Sequence, residues 1–332
     1  MSAVRRRILS GMRPTGKLHL GNFVGALENW VQLQREYDSY HIIADWHTLT
    51  TDYREPKQIW LNTYEMVLDW LAAGIDPEQS PIFRQSQIRE HAELHLMFSM
   101  ITSFGKLQRN PTFKEQIRDL GLTDEYTYGH LGYPVLQAAD IMMYKAHCVP
   151  VGEDQVPHVE LAREIVRRFN ALFCPDNPVF PEPEELLTPF ARLPGLDRKR
   201  MSKSLGNAIL LSDDDTEIQK KLRGAITDEQ KVRKGDPGRP EICPIFAYHQ
   251  KFNADEIATI ESNCRSGALG CVECKRRCGG KMIAFLEPLR ERRARWAAKP
   301  EGVKEVLLDG ERRARAVAQQ TMSEVRMVMG FE

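Results

Sequence analysis

The first half of the chain alternates short apolar runs with longer stretches whose apolar residues recur at helical spacing. Ile8-Leu9 leads into a turn containing Gly11, Pro14 and Gly16, and Gly21 to Glu36 then reads as a helix. Tyr40-His41-Ile42-Ile43-Ala44-Asp45 reads as a buried strand. From Lys57 to Ala73, Ile59, Tyr64, Val67, Leu68 and Leu71 fall at helical spacing. Pro81-Ile82-Phe83 predicts another strand and His91 to Thr102 another helix. Strands alternating with helices imply an α/β domain, with a parallel sheet covered on both faces.

The stretch from Phe173 to Pro194 is rich in proline and reads as an irregular connection ahead of a mobile loop. Beyond Asp213 the strand signal fades. Glu217 to Arg223, Ala254 to Asn263, Lys281 to Ala298 and Val303 to Met329 all read as helices. The pattern therefore divides near Asn207, into an α/β domain over 1–206 and a helical domain over 207–332 whose last helix can pack back on the first. A length of 332 residues suits two domains or one large one. No apolar run approaches the roughly 18 residues of a spanning helix, and none has a signal-peptide layout. The expectation is a cytoplasmic protein with no membrane partner. The 46 basic and 46 acidic side chains balance, so net charge does not argue for a nucleic-acid partner.

Candidate chemistry begins in the first turn. Gly11 to Lys17 spells G-x-x-x-x-G-K, but Leu18 stands where a phosphate-binding P-loop needs a Ser or Thr hydroxyl for Mg²⁺. No G-x-G-x-x-G follows any candidate strand. What fits is His19-Leu20-Gly21-Asn22, after a strand and turn and before a helix. Gly21 would let backbone approach an adenine or ribose, and His19 could donate a hydrogen bond to charge building on a phosphate. The plainer reading is a satisfied histidine at a helix start. A second run, Arg200-Met201-Ser202-Lys203-Ser204, lies in a polar, glycine-flanked loop. Lys203 is a point charge for phosphate, the two serines are hydroxyl donors, and the segment can close over ATP. Alone it is an exposed basic loop. In this order the pair resembles the HIGH and KMSKS signatures of class I aminoacyl-tRNA synthetases.

Within that class, Ser10 to Asn22 resembles the opening of bacterial tryptophanyl-tRNA synthetases, as do Asp45-Trp46-His47, Tyr133 to Asp140 and Val149 to Gln155. The resemblance covers nearly all of 8–206 and continues more weakly beyond. It implies a Rossmann-like catalytic domain followed by an α-helical anticodon-binding domain, with tryptophan, ATP, Mg²⁺ and tRNA(Trp) as partners, in a homodimer. It implies that Arg13, Pro14, Thr15, Gly21 and Asn22 line the ATP site, that Gly152, Glu153 and Asp154 meet the ribose or phosphates, and that Leu193, Arg200, Met201, Ser202, Lys203 and Ser204 close its far side. His19, Lys203, Ser202 and Ser204 would stabilise charge in the reaction. Asp140 would accept the indole N–H, Tyr133 and Gln155 would hold the α-amino group, and His47, Leu9, Val149 and Val151 would frame the ring. A buried carboxylate accepting a ring N–H rejects phenylalanine, which leaves it unpaired. Asn22 replaces the second histidine of the class signature. Gln137 is the other departure: Tyr133-x-x-x-Gln137-x-x-Asp140 also resembles the pocket of tyrosyl-tRNA synthetases, and a carboxylate accepts from a phenol as well as from an indole. The N-terminal block and Val149 to Gln155 lean to tryptophan, and tyrosine is the second reading.

Five of the seven cysteines fall between Cys243 and Cys278. Without a secretory signal, that crowding favours a metal site over disulfides. Only Cys271 and Cys274 form a C-x-x-C. Cys264-x6-Cys271-x2-Cys274 with Cys243 upstream resembles the [4Fe–4S] motif of some bacterial tryptophanyl-tRNA synthetases. That resemblance implies a cluster on these four, with Cys278 a possible substitute and zinc the alternative metal. A compact site from Cys264, Cys271, Cys274 and Cys278 competes with it. Lys275, Arg276 and Arg277 would then form a pinned basic loop able to meet anticodon-arm phosphates. Cys148 and Cys174 read as structural. His91-x-x-x-His95 reads as a helix surface or subunit interface rather than a zinc site. A reading from another class is a synthetase-like iron–sulfur protein that binds RNA or senses redox state without activating an amino acid; the intact 200–204 loop argues against it.

Overall fold

Apolar residues on consecutive positions, rather than alternating ones, mark strands covered on both faces, and the sheet is built from such runs. The computed structural model describes residues 5–119, 121, 126–187, 193–233 and 235–332. Its strands are β1 (Arg7–Met12), β2 (Asp38–Ile43), β3 (Ile82–Arg84), β4 (Cys148–Val151) and β5 (Glu184–Leu187). They form one parallel sheet in the order β3-β2-β1-β4-β5. Every residue of β4, and all of β2 after Asp38, is buried. β5 differs from expectation: it lies inside the proline-rich stretch read as irregular. It carries Glu184 and Glu185, is mostly exposed, and is held by its ladder to β4, so it leaves no apolar pattern to read.

The helices of the α/β region are α1 (Leu20–Asn22), continued through a π-helical turn (Phe23–Leu27) into α2 (Glu28–Leu33), then α3 (Asp45–Asp52), α4 (Pro56–Ala73), α5 (Glu90–Met100), α6 (Phe104–Arg109), α7 (Pro111–Asp119), α8 (Tyr128–Met143) and α9 (Val156–Phe173). The predicted helix over 57–73 is α4, opened by Pro56 and closed by Gly74 in the left-handed region at φ 114°. The helical region contains α10 (Asp215–Gly224), α11 (Pro244–Phe252), α12 (Ile257–Arg265), α13 (Cys271–Ala297) and α14 (Pro300–Met329). Helix α13 begins ten residues before the apolar periodicity indicates, because its first turns carry cysteines and arginines instead of an apolar stripe.

One apolar cluster joins Leu18, Met66 and Trp70 to Ile218, Ile245 and Met282, and so runs across residue 207. Helix α14 returns to lie against β3, covering that sheet edge. A Cβ on Gly310 would stand 2.0 Å from the Ile82 carbonyl oxygen, so the approach needs glycine. Ion pairs flank it: Arg84 to Glu311 at 2.5 Å, Lys145 to Glu324 at 2.5 Å and Arg326 to Glu93 at 2.6 Å. Among the described residues no helix is long and apolar enough to cross a membrane.

Candidate active site

The chain reverses its direction of building between β1 and β4, and in open parallel sheets such a switch point leaves a crevice at the C-terminal ends of the strands. Two candidate segments leave from it. The 13–22 turn follows β1, and Gly152, Glu153 and Asp154 follow β4. Asp154 is drawn against its own turn: its carboxylate accepts from Gln155 Nε2 at 3.1 Å, and its carbonyl accepts from the Thr112 hydroxyl at 3.1 Å.

His19 caps α1. Its Nδ1 accepts from the Asn22 N–H at 3.2 Å, while the Asn22 side-chain oxygen accepts from the His19 N–H at 3.1 Å. With Nδ1 used as acceptor, the proton of a neutral ring sits on Nε2. Burial pushes the His19 pKa down to about 4, helped by the charges of Lys203 and Arg200, so the ring is a neutral donor near pH 7. Asn22 thus fixes the orientation of the His19 ring.

The two signature runs touch. Backbone bonds join Leu20 N–H to the Ile209 carbonyl and Leu211 N–H to the Leu18 carbonyl, both at 2.9 Å. Met201 is buried against the turn, its Sδ 3.3 Å from the Gly21 N–H, and Leu193 lies in the same core. Lys203 Nζ donates to the carbonyls of Thr15 at 2.5 Å and Lys17 at 2.9 Å. Gly16, with φ 93°, supplies the left-handed turn between these two carbonyls. Ser202 and Ser204 hydroxyls lie 2.9 Å apart, and Asn207 anchors the loop by accepting from the Ser202 N–H at 2.7 Å. Arg200 pairs by a backbone bridge with Pro194. Arg13 bonds the Thr51 hydroxyl and lies 3.2 Å from Asp52; Pro14 is buried beside it and Thr15 exposed.

Asp140 on α8 is buried and crowded with partners. Gln85 Nε2 donates to both its oxygens at 2.8 Å, and His47 Nε2 lies 2.9 Å from Oδ2. His91 Nδ1 makes an ion-pair contact of 2.7 Å with Oδ1, without the alignment of a hydrogen bond. Burial pushes this carboxyl up, but the His91 and His47 rings outweigh it and hold it down to about 2. Tyr133, two turns earlier, meets the His158 Nε2 at 3.0 Å through its hydroxyl and the His47 ring edge-on at 6.3 Å. Leu9, Val149 and Val151 belong to the same buried cluster as Tyr133. Gln137 is half-buried one turn beyond Tyr133. A cavity of about 480 Å³ opens beside them, between Trp46, Leu49, His95, Gly132, Tyr133 and Leu136. Of the residues expected around tryptophan, only Tyr133 lines it.

His91 and Gln85 are the site residues that sequence reasoning passed over. His91, read as surface or interface, is fully buried, with its Nε2 2.8 Å from the Tyr144 hydroxyl. The signal was present in Leu94 and Phe98, three and seven residues on, which share its buried face.

The cysteines converge in part. Burial pushes the Cys274 thiol up to about 12, with Cys243, Cys264 and Cys271 adding to the rise. Burial likewise raises Cys243 and Cys264, and their neighbours among the same four add to it. Cys278 instead turns into the core, its Sγ 4.0 Å from the Ile245 carbonyl. Among the described residues no three His, Cys, Asp or Glu side chains form a group able to hold a metal ion. The expected basic loop is the first part of α13. There Lys275 donates to the carbonyls of Arg223 at 2.9 Å and Ala225 at 2.6 Å, while Arg276 and Arg277 both pair with Glu273 at 2.8 Å.

Comparison with known proteins fits this geometry. Residues 1–287 match the family described as tRNA synthetases class I (W and Y). The tryptophan--tRNA ligase of Thermotoga maritima is 49% identical over 328 residues, covering 98% of this chain and 99% of that protein. That of Aquifex aeolicus is 44% identical, covering 98% and 100%. The crystal structure of tryptophanyl-tRNA synthetase from Campylobacter jejuni, complexed with ADP and tryptophan, superposes with a TM-score of 0.85 at 31% identity, over 98% of this chain and 99% of that one. The chain belongs to the class I tRNA synthetases for tryptophan and tyrosine, among the tryptophan--tRNA ligases.

Proposed function

We propose that the chain activates tryptophan with ATP and transfers it to tRNA(Trp). The observation that carries this reading is the contact of the two signature runs at the switch-point crevice, in a chain matched over nearly its whole length by tryptophan--tRNA ligases. The tryptophan carboxylate oxygen attacks the α-phosphorus of ATP. A bond forms there as the bond to the bridging oxygen of the β-phosphate breaks, and pyrophosphate leaves. No side chain bonds covalently to substrate, so rate comes from positioning and charge. His19 Nε2–H, the Lys203 ammonium and the hydroxyls of Ser202 and Ser204 are the donors for phosphate oxygens. Arg13, Pro14, Thr15, Gly21, Asn22, Gly152, Glu153, Asp154, Leu193, Arg200 and Met201 complete the nucleotide site. Mg²⁺ bound with ATP supplies further neutralisation of the phosphates. The aminoacyl group then passes to a terminal ribose hydroxyl of the tRNA.

For the amino acid, we assign Asp140 as the acceptor of the indole N–H, with Tyr133 and Gln155 on the α-amino group and His47, Leu9, Val149 and Val151 around the ring. Gln85 and His47 already donate to this carboxylate and His91 lies against it, so the indole N–H would take the remaining acceptor capacity. Tyrosine is the second reading, and Gln137 is what favours it. Charging of unfractionated tRNA with labelled tryptophan and, separately, tyrosine tests the choice. Tryptophan charging alone is expected, and charging with tyrosine alone would overturn it.

Residues 1–206 would be the catalytic domain and 207–332 the tRNA-facing domain. Leu96, Met100 and Phe104 are exposed on or beside α5, an apolar face suited to a second copy in a homodimer. With the tRNA pool as substrate, the protein would work in the cytoplasm. Burial raises the Cys243, Cys264 and Cys274 thiols, and such thiols need a cationic partner to ionise together. By resemblance Cys243, Cys264, Cys271 and Cys274 would be the ligands of a [4Fe–4S] cluster, with zinc the alternative, and the side chains would have to close up to hold either. Bound there, the cluster would supply a rigid crosslink between α11, α12 and α13.

A further inference from the structure

The peptide unit joining Lys17 to Leu18, one residue ahead of His19, is held at both ends by charge. Its carbonyl accepts from Lys203 Nζ at 2.9 Å, and its N–H donates to Asp69 Oδ2 at 2.7 Å. Asp69 lies on α4 and is fully buried. Its other oxygen accepts from Arg293 Nε at 2.6 Å, and Arg293 Nη2 reaches Glu65 at 2.5 Å. The neighbouring Arg292 fixes the same helix junction by donating to the Ala72 carbonyl at 2.6 Å. Arg293 belongs to α13, whose first turn carries Cys271 and Cys274.

We propose that Asp69 and Arg293 are positioning residues for the ATP step. They form a relay from the helical region through the 17–18 peptide to Lys203. A peptide unit between a carboxylate and an ammonium is polarised so that each bond strengthens the other. The relay thereby sets where Lys203 stands over the crevice and fixes the turn that aims His19. The charge of Asp69 reaches Lys203 itself: burial lowers the pKa of that ammonium, and Asp69 opposes the fall. An unpaired carboxylate buried on α4 would be unstable, and Arg293 removes that instability from the α13 side. A shift of α13 is therefore felt at Lys203 through Asp69.

The inference rests on the function proposed above, which wild-type tryptophan-dependent pyrophosphate exchange tests independently. The informative variant is Asp69→Leu combined with Arg293→Leu, which removes the ion pair as a unit, with urea unfolding confirming that the variant is folded. It is expected to lower kcat/KM for ATP about 10-fold while the KM for tryptophan stays within about twofold of wild type. Added to Lys203→Ala, the same pair is expected to change ATP kinetics by less than about twofold, since the group it positions is gone. Asp69→Asn, which keeps an oxygen for the Leu18 N–H but not the charge, is expected to recover only part of the loss. Unchanged ATP kinetics in the double variant, equal losses for ATP and tryptophan, or full additivity with Lys203→Ala would each overturn the relay.

Discussion

His91 Nδ1 lies 2.7 Å from Asp140 Oδ1, with both side chains buried beneath the proposed amino-acid pocket. His91 approaches from α5, while His47 reaches the other oxygen from α3, so the carboxylate is fixed from two separate elements. Asp140→Ala is expected to raise the KM for tryptophan about 100-fold and leave the KM for ATP within a few-fold. Steady-state exchange at varied tryptophan and varied ATP measures both. Equal loss for the two substrates would make Asp140 a fold residue instead.

Lys203 donates to the carbonyls of Thr15 and Lys17, and the proposed function puts its charge on the phosphates of ATP. Lys203→Ala is expected to lower the rate of adenylate formation on the order of 100-fold, with tryptophan binding preserved. Single-turnover kinetics against equilibrium dialysis of labelled tryptophan separates these. Unaltered adenylate formation would remove Lys203 from the reaction.

Gly310 meets the Ile82 carbonyl so closely that any side chain must push α14 off β3. Gly310→Ala is expected to cost about 1–3 kcal/mol of stability. Thermal or urea unfolding reads the change, and a variant as stable as wild type would mean that the two elements separate freely.

The His41 ring is stacked on Trp30 at 5.6 Å and buried, and among the described residues neither ring nitrogen has a hydrogen-bond partner. Burial pushes its pKa down from 6.5 to about 3. The folded state therefore binds fewer protons than the unfolded state between these values. The stability this group supports is fully present above pH 6.5 and is lost as pH falls towards 3, at about 1.4 kcal/mol per pH unit. Relative to wild type, His41→Phe should gain about 2 kcal/mol on going from pH 7.5 to pH 5, by urea unfolding. Parallel pH profiles would contradict this.

Much of the fold was legible because the inner strands and α4 write their burial as unbroken or periodic apolar runs. β5 was not, since Glu184 and Glu185 sit on a solvent edge where backbone pairing does the holding. His19 and Lys203 could be picked out by motif, but the peptide between Lys17 and Leu18 that links Lys203 to Asp69 is backbone, with no sequence mark. His91 was legible in principle, from its spacing to Leu94 and Phe98. The helical start of α13 was obscured because Lys275, Arg276 and Arg277 read as loop charge, whereas they are satisfied by carbonyls and by Glu273 on a helix.

The most direct test of the central claim is ATP–pyrophosphate exchange by the purified protein, supplied with tryptophan and with tyrosine in separate reactions. Exchange that depends on tryptophan and is negligible with tyrosine is the predicted result. Exchange with tyrosine alone, or with neither amino acid in folded protein, would contradict it.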